Sequence, residues 1–249
     1  FGTALNAARG VALQVSNAIN SFVTNFIQAM NPQIIKYYAQ GELDTMQQLV
    51  IKGCKYSFFL LLILSMPIII EAEYILTLWL KHPPTYSIIF CRLIMISALM
   101  DTLSGVVGYG ALATGKIKIY QIVMSLVFIS VPILTYIAYC IGLPSYSCIV
   151  AEMFSYAIAL FMRPYLTSRI TTFSISKYLH NNILPCMCVV IMTLPIPIVV
   201  HAYMPYGFIR LITVCIICVF STCLSIWLVG IDTPERKIIV QYIQNKYRK

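Results

Sequence analysis

Asn6, Arg9, Gln14, Asn17, Asn20, Ser21, Thr24 and Gln28 all fall in one stretch, NAARGVALQVSNAINSFVTNFIQ. On a helix, Gln14, Asn17, Ser21, Thr24 and Gln28 follow 3-4-3-4 spacing and make one stripe. Asn6, Asn20 and Asn25 flank it, Arg9 lies at its edge, and Val11, Val15, Ile19, Phe22 and Phe26 fill the opposite face. Amides and hydroxyls both donate and accept hydrogen bonds, so the stripe suits non-covalent binding of something hydroxyl-rich. The fork of Arg9 matches a phosphate, or the residue pairs with an acid on another helix.

That acid could be Asp101, which lies in the middle of LIMISALMDTLSGVVGYGALATG. Ser97, Asp101, Ser104 and Gly108 share 4-3-4 spacing, a second small and polar stripe. An ionisable residue at membrane depth is a functional hypothesis by default. Asp101 either carries a coupling ion, H+ or Na+, pairs with a base on another helix, or is a structural acid bonded to Ser97 and Ser104. No other chemistry stands out. The pairs Cys186/Cys188 and Cys215/Cys218 sit in apolar runs and read as small hydrophobes in a packed core. His82, His180 and His201 are scattered, and neither a phosphate loop nor a nucleotide fingerprint is present. We expect no enzyme activity, no cofactor and no metal.

The elements that must position these residues are membrane spans. Soluble domains carry about 45–50% apolar and about 25% charged residues; here the values are 60% and 10%. Runs long enough to cross a bilayer follow the opening polar helix of about 5–30. They cover roughly 56–80, 88–113, 118–141, 146–166, 183–204 and 207–230. Short separators punctuated by Gly and Pro join most of them, whereas 31–55 and 164–182 read as longer polar links. Pro32 and Gly41 bound a short helical piece, and 42–56 reads as an amphipathic segment lying on the membrane surface. Prolines 67, 132, 195 and 197 fall within spans as candidate kinks. The expected fold is an all-α polytopic bundle of about seven transmembrane helices. The chain starts at Phe1 with no leader sequence and reads as a fragment lacking an N-terminal part.

This segment count puts thirteen of the seventeen basic residues on one side, counting Arg163 at its boundary, with four acids, so the whole +9 lies there. By the positive-inside rule that side, with the C-terminus, is cytoplasmic. The charge is thus a topology signal and gives no support to nucleic-acid binding. The basic tail GIDTPERKIIVQYIQNKYRK reads as capped, amphipathic and lipid-facing. On the outer side, Arg92 and Arg210 could pair with Glu71, Glu73 and Glu152 as a charged ring, or snorkel to the interface. A helix as polar as 6–28 either lies flat in the interface or spans with its polar face toward a water-filled cavity. Its polar face lacks the lysines of an interfacial helix, which favours the cavity.

GTALNAARGVALQV, NPQIIKYYAQGE, KYSFFLLLILSMPIIIEAEYILTLWL and ATGKIKIYQIV give the chain a further character. Over its full length it resembles the multidrug/oligosaccharidyl-lipid/polysaccharide exporter superfamily, in particular the polysaccharide-biosynthesis flippases of the O-antigen and capsule kind. The resemblance implies a two-lobed bacterial inner-membrane transporter of about fourteen spans working by alternating access, of which this chain is the C-terminal lobe. The implied substrate is an undecaprenyl-diphosphate-linked oligosaccharide for lipopolysaccharide or capsule, with membrane lipids and a glycan polymerase as neighbours. The stripe would meet the sugar and Arg9 the diphosphate. Rival readings are a drug or cation exporter of the same superfamily, whose cavity would be rich in acids and aromatics, a membrane enzyme of glycan assembly, which would need a clustered site in a long outer loop, and a truncated, inactive product.

Overall fold

A computed structural model describes residues 3–232, 235–237 and 241. The described chain is an all-α bundle. Helix α1 (Thr3–Ala39) turns at 40–42 into α2 (Leu43–Leu80), followed by α3 (Ser87–Gly105), α4 (Val107–Ala113), α5 (Lys118–Cys140) and α6 (Ser147–Ile170). A short α7 (Ile175–Tyr178) and a π-turn (Leu179–Ile183) lead into α8 (Leu184–Thr193) and α9 (Pro195–Tyr203). The bundle closes with α10 (Phe208–Ser225) and a second π-turn (Ile226–Gly230). Six helical segments are long and apolar enough to cross a membrane: Leu43–Leu80, Ser87–Ala113, Lys118–Cys140, Ser147–Ile170, Ile175–Tyr203 and Phe208–Gly230. At 37 residues α1 is also long enough, but its polar face keeps it out of that set.

The expected link over 31–55 is continuous with the helices on either side of it instead. Pro32 sits inside α1, and α2 begins at Leu43, making it 38 residues and about 57 Å long. Gly41, at φ +77, supplies the left-handed turn between them. Nor does the amphipathic piece lie on a membrane surface. Met46, Val50, Ile51 and Cys54 are buried in one cluster with Ile34, Val106, Val107, Phe173 and Tyr178. The apolar face expected to seek lipid is a helix–helix contact. The link over 164–182 is corrected likewise: α6 runs to Ile170 and helix resumes at Ile175.

Two spans are interrupted. The expected 88–113 span breaks at Val106, where the α3 carbonyls lose their in-helix partners. Side chains take over: Tyr178 Oη and Asn182 Nδ2 both donate to the Leu103 carbonyl at 2.9 Å, and Arg163 donates to that of Asp101 at 3.3 Å. In α2 the backbone is non-helical at Glu71 (φ −97, ψ 22), four residues after Pro67, and Arg92 donates to the carbonyls of Ile69 and Ile70 at 3.0 and 3.4 Å. Broken helices persist in a membrane only where such partners exist. Pro195 begins α9 at the joint with α8, whereas Pro132 lies inside an unbroken α5. Cys54, Cys91, Cys186 and Cys218 are fully or almost fully buried and pack as apolar side chains in the core.

At the basic end the segment after α10 is tied to α2. The Lys55 ammonium, 1% exposed, meets Glu235 at 3.1 Å and Asp232 at 3.4 Å, and Lys52 meets Glu235 at 3.1 Å. Glu235 also accepts the Asp232 backbone N–H at 3.2 Å, the reciprocal half of the expected cap. Of the basic tail, 233–234, 238–240 and 242–249 lie outside the described residues. Burial pushes the Glu235 carboxyl up, but hydrogen bonds from Lys52 and Lys55 outweigh it and hold the carboxyl at about 2, against an ordinary 4.5. A depressed carboxyl stabilises the folded contact above its ordinary value and loses that contribution as pH falls through the depressed one. We therefore expect the 231–237 segment to stay attached at neutral pH, weaken between pH 4.5 and about 2, and come away at neutral pH in Glu235→Gln. Cross-linking between cysteines placed at Gln48, which lines the space beside Glu235, and Arg236 reads this directly; an attachment equally firm in Glu235→Gln would refute it.

Candidate functional site

One side of α1 packs on α2 and α3 through Ala8, Ala12, Ser16, Ile19 and Val23, all buried. The helix is therefore part of the bundle and does not lie apart in an interface. Turned roughly a quarter of the way around from that face, at 100° per residue, Arg9, Leu13, Asn17, Asn20 and Thr24 line a cavity of about 390 Å³. Ile94, Ser97, Asp101, Thr102 and Gly105 of α3 form its second wall, and Ile149, Glu152 and Tyr156 of α6 its third.

The cavity thus gathers Arg9, Asn17, Asn20, Thr24 and Asp101 from the sequence-derived set. Gln14, Ser21 and Gln28 do not reach it; they lie farther round α1 and, with Asn6, are exposed. The stripe is wider than one cavity wall, so its far half leaves the bundle.

Local bonds shape the cavity's surface. Asn20 Nδ2 donates to Ser16 Oγ at 3.0 Å, and Thr24 Oγ1 donates to the Asn20 carbonyl at 2.9 Å. Arg9 and Asn17 make no hydrogen bond or ion pair with any described residue, so their donors remain available. Ser97 Oγ is buried without a protein partner. An array of this kind can hold a polyhydroxylated group by direct and water-mediated hydrogen bonds, with one fixed positive charge.

Asp101 pairs with neither Arg9 nor the serines of its own helix. Its Oδ1 lies 2.7 Å from Nη1 of Arg163 on α6, and the same nitrogen donates to Ser104 Oγ at 3.1 Å. Arg163, expected at the boundary of the basic side, is 11% exposed inside the bundle. Sequence cannot make this match, because α6 runs past the end of its apolar stretch and α3–α6 packing has no local signature.

Glu152, expected among the outer charges, lines this cavity instead. Tyr156, which carries no sequence signal of its own, donates its hydroxyl to Glu152 Oε1 at 3.4 Å. The outer ring is also smaller than expected. Glu71, fully buried, accepts from Arg210 Nη2 at 3.0 Å and meets His201 Nδ1 at 2.8 Å. Arg92 goes to the backbone at the α2 kink, and His201, isolated in sequence, is part of this cluster.

A smaller space of about 330 Å³ lies beside the Lys52/Lys55/Glu235 contact. A third, of about 540 Å³, opens between α5 and α6 and shares Arg9 and Glu152 with the polar cavity. No protein-family model, curated protein or solved structure matches the chain.

Proposed function

We propose that this chain is one lobe of a flippase that moves an undecaprenyl-diphosphate-linked oligosaccharide across the bacterial inner membrane by alternating access, with its basic end in the cytoplasm. The observation that carries this reading is the composition of the cavity. Asn17, Asn20, Thr24, Ser16 and Ser97 supply neutral donors and acceptors, and Arg9 supplies one unpaired positive charge. Sugars are bound through such neutral groups, and a diphosphate through a guanidinium fork. The exposed far half of the α1 stripe suits a second lobe, which would close the cavity from the other side. The six candidate spans suit a membrane carrier.

A second reading, an ion-coupled exporter of cationic drugs, draws on a specific observation: Asp101, Glu152 and Tyr156 also line the cavity. Arg163 already neutralises Asp101, which leaves one acid facing one arginine and weakens the case for a cation site. The test is translocation in proteoliposomes. We expect a fluorescent diphosphate-lipid-linked oligosaccharide to cross, Arg9→Ala to slow it by about tenfold or more, the scale of one charge-assisted contact, and Asn17→Ala by about threefold to tenfold, the scale of one neutral hydrogen bond. Efflux of a cationic dye without glycolipid movement would hand the protein to the second reading.

A further inference from the structure

Two spaces flank the contact between α5 and α6, and only one of them joins the polar cavity. The space of about 540 Å³ is lined on α5 by Phe128, Val131, Pro132, Thr135 and Tyr139, which share one face of the helix. Cys148 and Glu152 of α6 and Arg9 of α1 complete its lining. Arg9 and Glu152 also line the polar cavity, so the two spaces meet there. The other space, about 550 Å³ beside Leu134, Ala138, Val150 and Phe154, shares no residue with the cavity. Of the six candidate spans α5 is the least buried, and among the described helices it packs chiefly on α6. Tyr136, 72% exposed, stands at the rim of the first space. A cleft with α1 on one side and α5 on the other thus leads from the apolar surface of the bundle to the Arg9 guanidinium.

We propose that this cleft seats the first part of the hydrocarbon chain of a lipid diphosphate whose head lies at Arg9. The inference rests on the reading of Arg9 as the diphosphate contact. A head covalently joined to a hydrocarbon chain can occupy a polar cavity inside the bundle only where the chain stays among apolar groups, and the head among polar ones. The chain gains little by exchanging lipid for protein, because both are apolar. The role of the cleft is therefore geometric: it lets one molecule satisfy both demands at the depth of Arg9.

The groups at the junction favour a lipid-linked ligand over a free one. Glu152 lies there with Arg9, and its negative charge opposes a phosphate on the guanidinium, so the head alone is held weakly. A chain anchored in the adjoining cleft keeps the head at a high local concentration and offsets that weakness. The number of clefts favours a single chain. Only one of the two spaces beside α5 and α6 adjoins the cavity, which suits a polyprenyl diphosphate with one chain. A diacyl phospholipid would need seats for two chains beside one head.

The test is photolabelling of the protein in phosphatidylcholine vesicles by farnesyl diphosphate carrying a diazirine on its second isoprene unit. We expect the labelling that excess farnesyl diphosphate displaces to fall on α5 between Phe128 and Tyr139 and on α6 near Cys148. Arg9→Ala should reduce it about tenfold or more, the scale of one charge-assisted contact. Val131→Trp and Thr135→Trp fill the cleft and should each reduce it about tenfold, whereas Ala138→Trp, in the space that does not reach the cavity, should leave it unchanged. Displaceable labelling centred on α8–α10, or equal in Val131→Trp and wild type, overturns the proposal. Displacement by phosphatidylglycerol as effective as by farnesyl diphosphate gives the cleft to a bilayer phospholipid and overturns it too. Glycolipid translocation assayed in parallel separates the two ideas: translocation undiminished in Val131→Trp sinks this inference alone, and labelling in the cleft without translocation sinks the flippase alone.

Discussion

Replacing Glu71 with alanine is expected to destabilise the protein by about 3–5 kcal/mol, the cost of leaving a buried charge without its partner. Glu71 is fully buried and both of its oxygens are occupied, one by Arg210 at 3.0 Å and one by His201 at 2.8 Å. Arg210, itself 9% exposed and 4.9 Å from the Tyr206 ring, would remain as an unpaired cation among apolar side chains. The contact also joins α2 at its kink to α9 and α10, so its loss weakens the hold of two helices on a third. Burying two charges is costly in itself, so the pair is worth less than its rupture suggests. Glu71→Leu combined with Arg210→Leu should recover most of the lost stability. Unfolding titrations in mixed detergent micelles measure both; a single replacement no worse than the double would rule out this account.

Arg163→Ala is the second large effect, at about 2–3 kcal/mol. The guanidinium donates to two acceptors, the Asp101 carbonyl and Ser104 Oγ, and is ion-paired with the Asp101 carboxylate at 2.7 Å. It also lies 6.0 Å from the Phe128 ring. Its removal strands a carboxylate and a carbonyl beside the α3 break. The figure is set below that for Glu71 because Asp101 is 40% exposed, and cavity water screens what Arg163 leaves behind. Asp101→Asn in the same chain should return part of the loss, since a neutral amide needs no counter-charge. A double-mutant cycle should give a coupling of about 1–2 kcal/mol; strict additivity would show that the two residues act separately.

Particular residues show how far the sequence can be read. The centres of the spans are legible because a long apolar run with almost no charge is rarely anything but a span. Their ends are not. Residues 31–39 and 43–55 are helix packed on helix, and Pro32 looks like a boundary because proline usually is one. Arg9, Asn17, Asn20 and Thr24 share the cavity because helical periodicity fixes which residues share a face of α1. Periodicity cannot say which arc of a wide polar face meets a neighbouring helix, so it groups Gln14, Ser21 and Gln28 with them. The contacts of Asp101 with Arg163, and of Glu71 with His201 and Arg210, cross between helices far apart in sequence. Nothing local marks such pairs. Sequence does mark their members as charges that need a partner.

The length of α2 gives the two tethered ends a mechanical relation. Lys55, clamped by the segment after α10, and Glu71, clamped by α9 and α10, sit on one rod about 24 Å apart. Beyond Lys55 the rod continues another dozen residues to Leu43, roughly 18 Å. With Glu71 as the fulcrum, a tilt of about 10° would sweep the Leu43 end through roughly 7 Å. Undoing the acid-sensitive clamp at Lys55 would therefore leave the burial of Met46, Val50, Ile51 and Cys54 as the hold on the basic end of α2, at the far end of a long lever arm.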